Sequence, residues 1–100
     1  MNDETTMGWK HLRSFAYTPS SVRQNAPAAS GVYGIFTRYT WIYIGESHDI
    51  QARLLQHLNG DSPCIQSSGA TMFSFELVPA MLLAARHAAL VQEYRPLCNP

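Results

Sequence analysis

The sequence is poor in lysine: Lys10 is the only one, and seven Lys plus Arg are balanced by seven Asp plus Glu across one hundred residues. Neutralised phosphates supply most of the non-specific affinity for a duplex. The cations Arg13, Arg23, Arg38, Arg53, Arg86 and Arg95 are scattered, so the chain lacks the basic stripe of a domain that grips long DNA by itself. Cysteine is also scarce. Cys64 and Cys98 have neither CxxC nor metal-finger spacing, which excludes a zinc-finger framework and reads as two ordinary thiols. Apolar runs are far too short to span a membrane, and no charged-then-apolar leader with a cleavage site opens the chain. A cytoplasmic protein is the expectation. What is present is a core: 46% hydrophobic and 11% aromatic residues exclude disorder as the dominant state. The length suits one small domain. The polar stretch 1–8 is expected to be disordered or frayed, leaving 9–100 as the domain.

The informative stretch runs from Gly31 to His57. Two runs rich in aromatic and β-branched residues, Gly31-Val32-Tyr33-Gly34-Ile35-Phe36-Thr37 and Trp41-Ile42-Tyr43-Ile44-Gly45, suit half-buried strands. Arg38-Tyr39-Thr40 has the length of a hairpin loop. Strict alternation places Ile42 and Ile44 on one face, with Trp41, Tyr43 and Gly45 on the other. Tyr33 and Tyr43 can then share a side of the ribbon if the register allows. A helix follows, with Ser47 as its N-cap and Asp49 in its first turn. Ile50, Leu54, Leu55 and Leu58 form its apolar stripe, while Asp49, Arg53 and His57 follow one another at i, i+4 on its surface.

Farther on, Asn59-Gly60-Asp61-Ser62-Pro63 is a stop and turn, and 64–69 reads as a polar loop. Alternation over 71–78 predicts a third strand with Thr71, Phe73, Phe75 and Leu77 inward. Pro79 opens a second helix that ends before Pro96. Its buried face is Leu82, Leu83, Leu90, Val91 and Tyr94. The fold class is therefore α+β: a small three-stranded, mainly antiparallel sheet flanked by helices, with strands near 31–37, 41–45 and 71–78.

Gly31-Val32-Tyr33, then Tyr43-Ile44-Gly45, then Arg53 and His57 on the next helix, and a Pro96-Leu97-Cys98-Asn99 ending together resemble the GIY-YIG nuclease superfamily. The resemblance extends from about Ser30 to Asn99. Short aromatic-glycine words are individually unspecific; their order and spacing carry the likeness. It implies a metal-dependent endonuclease that hydrolyses phosphodiesters in DNA. Tyr33 would act as or near the general base, and Tyr43 would position the attacking group. Arg53 would hold the phosphate oxygens, and His57 would orient Tyr33 or pass a proton. Arg38 joins Arg53 as a nucleic-acid contact.

The family's second helix also carries a glutamate that holds a divalent metal, Mg²⁺ or Mn²⁺. Counting back from Leu90-Val91 and Asn99 lands on His87. Glu46, Glu76 and Glu93 do not replace it by position. Magnesium prefers carboxylate and water oxygens, whereas imidazole suits zinc, nickel or copper, so loss of Mg²⁺-dependent activity is expected. The bland reading of His87, inside the apolar stripe of that helix, is a buried histidine satisfied by a tyrosine hydroxyl or a carbonyl. Two functions stand side by side: an endonuclease with an altered metal position, and a non-catalytic relative that binds nucleic acid or a partner protein. DNA is the expected partner, held weakly by this domain alone. A partner protein or a homodimer is compatible with the resemblance.

Overall fold

The structure, a computed structural model, describes Trp9 and residues 13–100. The segment expected to fray, 1–8, lies outside the described residues. The elements in chain order are β1 (Phe15–Ala16), α1 (Pro19–Asn25), β2 (Gly31–Phe36), β3 (Trp41–Ser47), α2 (Ile50–Leu58), α3 (Pro63–Ser67), β4 (Met72–Leu77) and α4 (Leu83–Tyr94). A 3₁₀ turn at Ala80–Leu82 leads into α4. No helix among the described residues is long and apolar enough to cross a membrane.

The sheet has four strands in the order β1-β4-β2-β3, all neighbours antiparallel, where the sequence predicts three. The additional strand, β1, has two residues and pairs Phe15 with Phe73 and Ala16 with Met72. Two residues cannot show a period, so alternation could not reveal it. The three strands read from sequence are all present. β3 runs to Ser47 because Glu46 pairs with Val32 and Ser47 with Gly31. Ser47 is therefore not the cap of α2. Asp49 is: its side chain accepts the Ala52 N–H at 3.0 Å, and Ser47 Oγ in turn accepts the Asp49 N–H at 2.9 Å.

One irregularity corrects the expected faces. Ile35 pairs with Tyr43 and Phe36 with Trp41, which leaves Ile42 without a partner on β2. Such a bulge shifts the alternation on one strand. Ile42 thus joins Tyr33 and Ile35 in the cluster under α1 and α2, while Trp41 joins Val32 and Ile44 under α4. Helices lie on both sides of the sheet, each burying an apolar face against it. Val22, Ile50 and Leu54 close one side with Phe73; Leu83 and Leu90 close the other. Each such side chain, taken fully out of water, contributes about 1.5–3 kcal/mol. Trp9 stacks on Trp41 at 5.7 Å between ring centroids.

Other expectations change with burial. Leu77 and Leu82, read as inward, are exposed. The polar loop expected at 64–69 contains α3, capped by Ser62, whose side chain accepts the Ile65 N–H. Most consequentially, Cys64 and Cys98 are not two thiols but a disulfide, with Cα atoms 5.8 Å apart. Their spacing could not disclose this, because the fold brings α3 to the C-terminal segment. Disulfides are rare in the cytosol, so the cytoplasmic expectation draws no support from this pair.

Candidate functional site

α2 supplies two polar side chains to one spot. Arg53 and His57 are one turn apart on the same line of the helix, and that line packs against the sheet where β2 and β3 meet. His57 is buried, only 2% exposed, rather than on the surface. Its ring lies 5.7 Å from the Tyr33 ring and 5.3 Å from the Tyr43 ring, edge-on to the latter. Tyr33 and Tyr43 share this side because Tyr33 pairs with Gly45 and Ile35 with Tyr43.

The polar atoms form a chain. The Tyr33 hydroxyl is 2.7 Å from His57 Nε2, and His57 Nδ1 is 2.8 Å from Asp61 Oδ1. Arg53 donates to Asp61 Oδ2 at 2.8 Å. Asp61 is the residue that the motifs do not name. The series 49, 53, 57 continues at 61, one step past the end of α2. Gly60, at φ 93°, turns the chain so that this step stays within reach. Only glycine adopts that backbone without strain. Arg53 therefore pairs with Asp61 rather than with Asp49.

Burial sets the electrostatics. It pushes the Tyr33 phenol well above its ordinary range, and nearby Tyr43 adds to this while Arg53 opposes it. It pushes the His57 imidazole down, against the hydrogen bond to Asp61, so the ring is neutral near pH 7. For Asp61, burial acts upward, but the bonds from His57 and Arg53 outweigh it and hold the carboxyl below its usual value. Behind His57 lies a cavity of about 190 Å³, walled in part by Tyr17, Ile65 and Gln66.

His87 and Arg38 stand apart from this group. His87 projects from α4, on the other side of the sheet. A carbonyl can only accept, so His87 Nε2 donates to Ile44 O, at 2.9 Å, while Nδ1 faces Glu46 Oε2 at 3.5 Å. Arg38 is exposed in the β2–β3 turn, over the Tyr39 ring at 5.8 Å. Asn99 grips β3 from outside: Oδ1 accepts the Ile44 N–H and Nδ2 donates to Ile44 O, both at 2.9 Å.

Three solved structures of the GIY-YIG N-terminal endonuclease domain of UvrC from Thermotoga maritima superpose on this chain. All have a TM-score of 0.69 and cover 79% of the chain. The magnesium-bound form is 26% identical and 96% covered. Two point mutants bound to the catalytic divalent cation are 26% and 25% identical, with 94% and 96% of each covered. The fold is that of the GIY-YIG superfamily. No protein-family model matches the sequence, and no curated protein matches it.

The GIY-YIG words now have a physical reason. Gly31-Val32-Tyr33 lies on β2 and Tyr43-Ile44-Gly45 on β3, and the final Gly45 faces Tyr33. A Cβ at Gly45 would overlap the Tyr33 hydroxyl and its ring carbon. The missing side chain is what lets the phenol lie across β3 to His57. Gly31 is constrained similarly, since its Cβ would run into the Glu76 carbonyl.

Proposed function

We propose that the chain is a GIY-YIG-type domain that hydrolyses phosphodiesters in DNA, with Tyr33, Tyr43, Arg53 and His57 as its reacting and binding side chains. One observation carries this reading: the 2.7 Å contact from the Tyr33 hydroxyl to His57 Nε2, with Arg53 held alongside through Asp61. An attacking water gives a proton to the Tyr33 oxygen as Tyr33 passes its own to His57. The hydroxide so formed attacks phosphorus in line, and the leaving oxygen takes a proton from solvent. Burial disfavours a standing phenolate, so Tyr33 relays the proton and His57 is the base. Tyr43, half-buried and against His57, orients the water. Arg53 offers its remaining N–H groups to the phosphate oxygens as negative charge builds. Arg38, at the hairpin turn, is a second phosphate contact. With so few cations, DNA binding is weak and salt-sensitive.

The UvrC domains hold a catalytic divalent cation, and the matching corner here does not fit magnesium. Among the described residues no group of three or more His, Cys, Asp or Glu side chains could hold a metal. His87 Nε2 is occupied by Ile44 O, leaving one imidazole nitrogen and the Glu46 carboxylate. A hard, octahedral ion prefers oxygen donors. The proton path above uses none of these atoms. The same observation favours a second reading, a relative that binds nucleic acid or a partner protein without cutting.

Nicking of supercoiled plasmid with Mg²⁺, Mn²⁺, Ni²⁺ and Zn²⁺ separates the two. Cleavage predicts no nicking with Mg²⁺ and slow nicking with metals that accept imidazole, lost in Arg53→Ala. No nicking with any metal, alongside duplex binding that Arg53→Ala abolishes, selects the binding reading.

A further inference from the structure

Asp61 touches both polar side chains that α2 sends into the site. Its Oδ1 lies 2.8 Å from His57 Nδ1 and its Oδ2 lies 2.8 Å from an Arg53 nitrogen. An ionised carboxylate has no proton to give, so the hydrogen in the first contact belongs to Nδ1. In a neutral ring the lone pair is then on Nε2, facing the Tyr33 hydroxyl at 2.7 Å. From this geometry we infer that Asp61 is a positioning residue, holding His57 in the Nδ1–H tautomer so that Nε2 can take the Tyr33 proton, and setting Arg53 beside that path.

The inference deepens the cleavage reading and rests on it for its consequence, though not for its geometry. The bond made by one imidazole nitrogen decides which proton the other carries. With the opposite tautomer, Nε2–H would point at the Tyr33 oxygen and the relay would have no acceptor. The groups facing the ring agree with the assignment. Tyr33 and Tyr43 approach from the sheet, Arg53 lies one turn back on α2, and Gln66 of α3 donates to the His57 carbonyl at 2.9 Å, away from the ring nitrogens. Asp61 is the group that meets Nδ1. It also leaves part of the Arg53 guanidinium free, since only one nitrogen is engaged by the carboxylate. One side chain thereby coordinates the base with the phosphate-binding cation.

The test is ¹⁵N NMR of the histidine rings in the full, disulfide-bonded chain near pH 7, in the parent, Asp61→Ala and Asp61→Glu. The parent should show His57 as Nδ1–H. Asp61→Ala should move it to Nε2–H or to a mixture, and Asp61→Glu should restore at least part of the Nδ1–H signal. A parent already in the Nε2–H form overturns the inference, and this needs no variant to fold. So does an Asp61→Ala chain that melts like the parent and keeps Nδ1–H. If the parent nicks plasmid with any metal, Asp61→Ala should lower the rate by about 10²–10⁴-fold and Asp61→Glu should recover part of it. An unchanged rate overturns the inference. A parent that nicks nothing counts against the cleavage reading, while the tautomer result still decides the role of Asp61.

Discussion

The side-chain amide of Asn99 holds both the N–H and the carbonyl of Ile44, each at 2.9 Å. β3 is an edge strand of the sheet, and edge strands leave backbone groups unpaired. Here the C-terminal segment supplies the partners: Leu97 N–H meets Trp41 O at 3.0 Å and Cys98 N–H meets Ile42 O at 2.7 Å. The strand that carries Tyr43 is thus held from both sides. Asn99→Ala removes two hydrogen bonds from that edge. A loss of about 1–3 kcal/mol is expected, read as a lower urea midpoint. An unchanged midpoint would show that water replaces the amide without cost.

The same segment is tied to α3 through Cys64–Cys98, across a separation of 34 residues. Closing a loop of that length restricts the unfolded chain by on the order of 3–4 kcal/mol. Reduction should lower the urea midpoint accordingly, and the double variant Cys64→Ser, Cys98→Ser should match the reduced parent. Equal midpoints with and without reductant would mean that the bond contributes nothing.

The buried His57 makes stability depend on pH in one direction. Burial, opposed by Asp61, holds its folded value below the ordinary 6.5. Below 6.5 the unfolded chain therefore binds a proton that the folded chain resists, so the unfolded state carries more protons and stability decreases as pH is lowered. Its contribution is complete above 6.5 and diminishes as pH drops from there. Asp61, also held low, acts with the same sign in the acid range below its ordinary value. Melting temperatures measured from pH 7.5 to 5.5 should fall less steeply for His57→Gln than for the parent. Parallel curves would place the titration elsewhere.

His87→Glu should install what the metal corner lacks. It would set a second carboxylate near Glu46 on α4's side of the sheet, giving magnesium the hard ligands it prefers. Added Mg²⁺ should raise the melting temperature of the variant and not of the parent. At one hundred times the dissociation constant the stabilisation is about 2.7 kcal/mol. Mg²⁺-dependent nicking should appear in the variant and disappear on adding Arg53→Ala, whose side chain is partly exposed and contributes little to the fold. Robust Mg²⁺ nicking by the parent would show that another acid serves the metal.

Period and spacing made much of this protein legible in advance. Two aromatic strands and a short turn produced the hairpin, and i, i+4 placement brought Arg53 and His57 onto one line of α2. The superfamily could be read from residue order, because strand alternation and helical repeat are local rules that nearby residues settle among themselves. Asp61 continued the same spacing, yet a glycine stop interrupts the helix there, and only the backbone of Gly60 decides whether the next carboxylate turns back or away.

What tertiary structure alone decided are meetings between distant segments. The Ile42 bulge reversed the side on which Trp41 lies, since it depends on how β2 and β3 register rather than on either strand. His57 became a buried member of a hydrogen-bonded chain because α2 packs over the Tyr33 and Tyr43 rings, although its helical position alone suggested a surface site. The pairing of Cys64 with Cys98 follows from α3 docking on α2 beside the C-terminal segment, and the commitment of His87 to Ile44 O follows from α4 packing on β3. None of these is a property of a local pattern; each arises from which elements the packed core brings within bonding distance.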